Sequence, residues 1–151
     1  MTIRLAEKAD LPAIYALVKE LALYEKAPES VTATLIDYEK DFDDKIFESI
    51  VAEINGEIVG MALYYMAYST WRGRMLYLED FVVKESVRKA GIGKLLFDRV
   101  LEIAREKRAI LLKWQVLDWN EPALNFYKKY DAIIEDEWLN GKLFLDTSII
   151  P

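Results

Sequence analysis

The stretch Leu78-Glu-Asp-Phe-Val-Val-Lys-Glu-Ser-Val-Arg-Lys-Ala-Gly-Ile-Gly-Lys94 decides how the chain is read. Phe81, Val82 and Val83 form a short apolar run of the kind that makes a strand buried on both faces. Arg88, Lys89, Ala90, Gly91, Ile92, Gly93 and Lys94 then carry the spacing Arg-x-x-Gly-x-Gly, and Ile92, Leu95, Leu96, Val100 and Ile103 recur at helical intervals. The reading is strand, glycine loop, amphipathic helix. Glycines at such a junction let a ligand approach the backbone, and the first helical N–H groups, reinforced by the helix dipole, favour an anion there. A loop whose glycines only make a turn is the competing reading.

Outward from this stretch, the 151 residues are read as one domain. With 53% hydrophobic and 30% charged residues the balance is that of a folded globular chain. There is no apolar run of roughly 20 residues to suggest a membrane span, and no cysteine, which makes a cytoplasmic location the expectation. Histidine is absent too, so a histidine base, a cysteine nucleophile and the common N/S zinc sites are excluded, and no metal is expected. Acid–base work falls to carboxylates, tyrosines, lysines or water. The formal charge of −6 and pI near 4.8 argue against a nucleic-acid partner and suit a cationic small molecule. Between Glu25 and Glu48 lie eight acidic residues and three lysines, a net of −5. That segment is either a solvated helix face or an acidic wall that attracts a cation.

Taken in order, Thr2–Leu5 reads as a strand, residues 10–24 as a helix with Asp10 as N-cap, and residues 32–45 as a weaker helix. Ile50–Ile54 and Glu57–Tyr65 flank Asn55-Gly56, a tight-hairpin signal. Met75–Val83 is the next strand, followed by a helix to about Lys107, a strand over Ala109–Val116, and a helix capped by Asn120 with Pro122 in its first turn. Ile133-Ile134 and Lys142–Thr147 read as two last strands around an Asn140-Gly141 turn. The order βααβββαβαββ predicts an α/β fold, a mixed central sheet flanked by helices.

Glu79 and Asp80 are carboxylates inside an otherwise apolar strand, which is unfavourable unless they are paired or solvated. Because neighbouring strand residues point to opposite faces, at most one of them is expected to face a given cleft. Tyr127, in Asn125-Phe-Tyr-Lys-Lys, reads either as a core tyrosine or as a proton donor.

The element order, the Arg88–Gly93 loop and Asn120-Glu-Pro-Ala-Leu-Asn-Phe-Tyr127 together resemble the GNAT superfamily of acetyl-CoA-dependent N-acetyltransferases. Lys19-Glu-Leu-Ala-Leu-Tyr-Glu25, Tyr64-Tyr65, Trp71, Leu76-Tyr-Leu-Glu-Asp-Phe81 and Trp119-Asn-Glu-Pro122 bring the resemblance closest to the diamine acetyltransferases, the spermidine/spermine and thialysine enzymes. The resemblance implies a mostly antiparallel sheet, a homodimer, and acetyl-CoA as co-substrate. It implies that the backbone of Phe81, Val82 and Val83 takes the pantetheine arm and that the amides of Lys89–Lys94 hold the pyrophosphate. Asn120, Ala123, Phe126 and Lys129 would line the cofactor's far side. Tyr127 falls at the general acid and Glu79 at the amine-facing carboxylate. Tyr24, Glu25, Trp71, Asp80, Lys113, Trp114, Gln115 and Glu137 fall at the acceptor. The implied activity is acetyl transfer to a primary amine of a small diamine, polyamine or lysine-like molecule by direct attack. A protein or peptide amine as acceptor, and a non-catalytic acyl-CoA-binding module, are the alternatives. Two departures stand out: Ser69 where polyamine enzymes tend to carry an acidic residue near Trp71, and Asp131 where the family has glycine.

Overall fold

Strand β1 (Thr2–Leu5) leads into helix α1 (Leu11–Tyr24), and helix α2 (Leu35–Asp43) precedes the long strands. These are β2 (Glu48–Ile54), β3 (Glu57–Ser69) and β4 (Gly73–Val83), followed by helix α3 (Ile92–Glu106), strand β5 (Leu111–Trp114) and helix α4 (Glu121–Lys128). This computed structural model describes residues 1–150. The chain divides into two units, Met1–Trp114 and the part beginning at Gln115.

Local chemistry accounts for most boundaries. Thr34 caps α2 by accepting from the Asp37 amide, and the Asp37 carboxylate bonds back to Thr34, a capping box. Asn55 and Gly56 both take positive φ (50° and 78°), as a two-residue hairpin of the twist-compatible type requires. Asp10 sits at the start of α1 without capping it. Its carboxylate accepts from Arg4 Nη1 (2.8 Å), Arg4 Nη2 (3.0 Å) and the Glu7 amide (2.7 Å) instead.

The first unit is a five-stranded sheet in the order β1-β2-β3-β4-β5, with β4 and β5 parallel and the other pairs antiparallel. Leu11, Ile14 and Leu17 of α1 pack with Val51, Met61, Leu63 and Val82 on one face. Residues of the opposite parity meet α3, whose Phe97 lies 5.8 Å from the Phe81 ring and 5.7 Å from the Trp114 ring. Gly60 belongs to that face, where an added Cβ would come within 3.1 Å of Leu96 and 3.2 Å of the Val82 carbonyl.

The two strands expected after α4 are not present. Residues 132–144 carry no regular secondary structure, and only a short 3-10 turn over Thr147–Ile149 follows. A short apolar run does not make a strand without a neighbour to complete its ladder, and no strand among the described residues pairs with this segment. Leu139, Leu143 and Leu145 are at least 90% exposed. Asn140, expected in a turn, accepts a hydrogen bond from Gln115 Nε2 (2.8 Å).

Phe97 is 1% exposed between two aromatic neighbours. Phe97→Ala is expected to lower the unfolding free energy by about 3–5 kcal/mol in urea titrations, the range for deleting a fully buried aromatic ring.

Candidate active site

The pairing of β3 with β4 runs in register from Gly60↔Val83 to Leu63↔Asp80, then steps: Tyr64 pairs with Leu78, and Glu79 has no partner across the ladder. A bulge of this kind adds one residue to a strand and re-aims the side chains around it. Tyr65, two residues beyond Leu63, lies opposite Tyr77. Its hydroxyl donates to Glu79 Oε1 at 2.9 Å. Leu63 and Tyr65 share one face, Asp80 stands opposite Leu63, and Glu79 is held by Tyr65. Both carboxylates therefore serve the face that carries α1 and α2. The expectation that adjacent residues split between faces fails here because the bulge changes the parity of the strand.

Around Asp80 the neighbouring charges are carboxylates. Burial, aided by the charges of Glu79 and Glu25, pushes the Asp80 carboxyl up to about 6. Glu25 follows the last turn of α1, where the helix dipole disfavours a negative group, and burial pushes its carboxyl up as well. Tyr38 of α2 is pushed up to about 12 by burial and then by Asp80. No cationic side chain is among the causes acting on Asp80. A primary ammonium is the kind of group that would relieve this crowding.

The other end of the deciding stretch is built for an anion. Gly91 precedes α3 in a left-handed conformation (φ 79°) and offers no side-chain cap. Lys89 is also left-handed (φ 72°), and a run of backbone N–H groups in alternating conformations makes an anion-binding concavity. Arg88 Nε donates to the Val83 carbonyl at 3.0 Å, with its guanidinium 5.8 Å from the Tyr24 ring centroid. Lys94 forms an exposed ion pair with Asp98, one helical turn on, at 2.6 Å.

The remaining predicted acceptor residues of this unit scatter. Lys113 pairs with Tyr77 across β4–β5, close to Glu79. Trp114 turns to the α3 side against Phe97. Trp71 lies in the turn between β3 and β4 and is 81% exposed, about 20 Å of strand away from Glu79. Ser69 closes that turn, its Oγ accepting from the Arg72 amide (3.1 Å).

In the second unit Asn120 caps α4 by accepting from the Ala123 amide at 3.3 Å. Tyr127 is buried on α4, 5.5 Å from the Phe126 ring, and Ala123 and Phe126 are half-buried, while Lys129 and Glu137 are exposed. Asp131 takes φ 56°, so the left-handed turn survives the missing glycine. Tyr65 and Tyr38 were not among the residues expected at the site. The signal for Tyr65 was its position opposite Tyr77 and two strand positions from Glu79, invisible until the register is known.

A family model described as acetyltransferase (GNAT) family matches residues 11–131. The chain belongs to the GNAT acetyltransferase family. The thialysine N-epsilon-acetyltransferase of Caenorhabditis elegans is 37% identical over 120 residues, covering 80% of this chain and 75% of that protein. The enzyme of the same name from Bos taurus is 39% identical over 140 residues, 86% of this chain and 82% of that protein. The crystal structure of an aminoglycoside acetyltransferase from an uncultured soil metagenomic sample superposes with a TM-score of 0.78 at 20% identity, covering 96% of each chain. At that identity the superposition speaks for the fold. The chain is thus a GNAT acyltransferase that moves an acetyl group to an amine, with acetyl-CoA as the co-substrate the family implies. The residues after β4 fit such a group: an uncapped helix start, left-handed Lys89 and Gly91, and exposed backbone from Arg88 to Gly91. Among the described residues no helix is long and apolar enough to cross a membrane.

Asp80 carries a testable consequence. Its folded-state pKa lies above the ordinary carboxylate value, so the native state binds the proton more tightly and Asp80 opposes folding increasingly as pH rises from about 4 through about 6. Asp80→Asn is expected to raise stability by about 1–2 kcal/mol at pH 8, with the gain vanishing near pH 4, as read from urea midpoints across pH.

Proposed function

We propose that the acceptor is a primary amine of a small diamine, polyamine or lysine-like molecule, and that Glu79 receives its proton. The observation that carries this reading is the bulge, which leaves Glu79 exposed beside Asp80 and Tyr65, with Glu25 acting electrostatically on Asp80. The thialysine acetyltransferases among the relatives support a lysine-like amine.

A primary amine is protonated at pH 7, with a pKa near that of lysine at about 10.4, and cannot attack until it loses that proton. Glu79 accepts the proton directly or through a water, while Asp80 and Glu25 attract the cation. Tyr24 and Lys113 border the same face. The backbone of Phe81–Val83 and the amides of Lys89–Lys94 hold acetyl-CoA, with Asn120, Ala123, Phe126 and Lys129 of the second unit as further contacts. Acetyl-CoA supplies the activated thioester. Tyr127 gives its hydroxyl proton to the departing thiolate; an ordinary tyrosine, pKa about 10, still carries that proton at pH 7. No covalent enzyme intermediate is needed, in keeping with a chain without cysteine or histidine.

The active species is proposed to be a homodimer. The apolar tail supports this, since Trp138, Leu139, Leu143 and Leu145 are 72–99% exposed, more than a lone chain ordinarily leaves in one short segment.

Thiol release from acetyl-CoA over a panel of diamines, polyamines, thialysine, lysine and peptides is expected to show turnover with the free amines. Turnover with peptides only would contradict the acceptor class, and none at all would favour a binding module. With the preferred amine, Glu79→Gln is expected to lower kcat/KM about 100-fold at pH 7, with a defect that shrinks as pH rises and more amine is already free. A defect flat with pH would remove Glu79 from the base role. Tyr127→Phe is expected to lower kcat about tenfold or more while leaving acetyl-CoA binding unchanged.

A further inference from the structure

Glu79 stands on a bulge, at the one position of β4 without a ladder partner in β3, and its side chain is exposed. An exposed glutamate samples many rotamers, and a base that wanders loses the alignment that makes proton transfer fast. The hydroxyl of Tyr65, 2.9 Å from Oε1, restrains it. Tyr65 is itself fixed. It lies within β3, is half-buried, and its ring stacks on Tyr77 with centroids 5.5 Å apart and planes 24° apart.

Resting on the reading of Glu79 as the proton acceptor, we propose that Tyr65 is its positioning residue: its hydroxyl holds Oε1 so that Oε2 is presented to the amine. Tyr77 is the rigid plate that fixes the Tyr65 ring. The division of labour follows from geometry. A bulged strand places the carboxylate outside the ladder, where no backbone neighbour fixes its direction, so the direction comes from the neighbouring strand. A tyrosine supplies it with two torsions, one of them locked by stacking. Burial and the hydrogen bond to Glu79 both push the Tyr65 hydroxyl up, which keeps it a donor across the working range. The other titratable groups facing this pair are Tyr77, Asp80 and Tyr38, with Glu25 beyond Asp80 and Lys113 opposite Tyr77 on β5.

The test is a double-mutant cycle on amine-saturation kinetics with purified protein, using Tyr65→Phe, Glu79→Gln and the double variant, with Tyr68→Phe as control. Phenylalanine keeps the ring and its stack and removes only the hydroxyl. Tyr65→Phe is expected to lower kcat/KM for the amine about tenfold, with the KM for acetyl-CoA unchanged. In the Glu79→Gln background the same change is expected to add nothing, because its target is gone. Tyr68→Phe, at an exposed tyrosine of β3 outside the pair, should stay within about twofold of the parent. Impaired Glu79→Gln with silent Tyr65→Phe would overturn the positioning role and leave the base assignment standing. Effects that multiply in the double variant would also overturn it, since Tyr65 would then act independently of Glu79. A silent Glu79→Gln would overturn the base assignment and the positioning role together. Thermal unfolding of each variant separates loss of fold from loss of function: an equal loss of kcat/KM and of folded protein in Tyr65→Phe, with no coupling in the cycle, counts against the proposal.

Discussion

A single step in register between β3 and β4 governs the chemistry of the first unit. With Leu63 opposite Asp80 and Tyr64 opposite Leu78, Glu79 is surplus to the ladder. Without that surplus residue, strand alternation would send Glu79 and Asp80 to opposite sides, one into the α3 core. With it, the apolar core on both faces keeps its parity on each side of the step. Phe81 meets Phe97, Leu78 pairs with Trp114 in β5, and Val82 joins the α1 cluster. The pairing is regular on both sides of the irregularity, so the carboxylates are placed by paired strands rather than by a loop.

The result is a face whose charges repel one another. Burial most of all, and then the charges of Glu79 and Glu25, raise Asp80's affinity for a proton. Such an arrangement opposes folding, and its persistence is understandable where a cation is the ligand. The same strand continues into the loop whose left-handed Lys89 and Gly91 open the start of α3 to an anion. A cation-attracting face and an anion-attracting helix start thus lie at neighbouring stretches of one β4–α3 connection, which suits a GNAT acyltransferase with a charged amine on one side and a phosphorylated acyl carrier on the other.

Much of this architecture was legible in the residues. Asn55-Gly56, the heptad-like run from Ile92 to Ile103 and the Asn120–Pro122 cap are local signals, and local backbone physics places them correctly. The face of Glu79 was not legible, because a bulge depends on how two paired strands settle their cores against each other, and neither strand alone announces it. Tyr65 was missed for the same reason. The two last strands failed in the opposite direction: Lys142–Thr147 has a strand-like apolar run beside an Asn140-Gly141 turn, but a strand also needs an edge to pair with, and none among the described residues meets it. Trp114 shows a third limit. Its neighbour Lys113 shares the Tyr77 face, while Trp114 itself serves the α3 core.

Asp80 and its carboxylate neighbours are proposed to form a receptor for a cationic amine. A carbon-13 NMR titration of the Asp80 carboxyl group, with and without a saturating diamine, tests it most directly. The account predicts a midpoint near 6 in the free protein, moved downward by about a pH unit or more when the diamine is bound, because a nearby positive charge favours the carboxylate. A midpoint that stays the same in saturating diamine would contradict it.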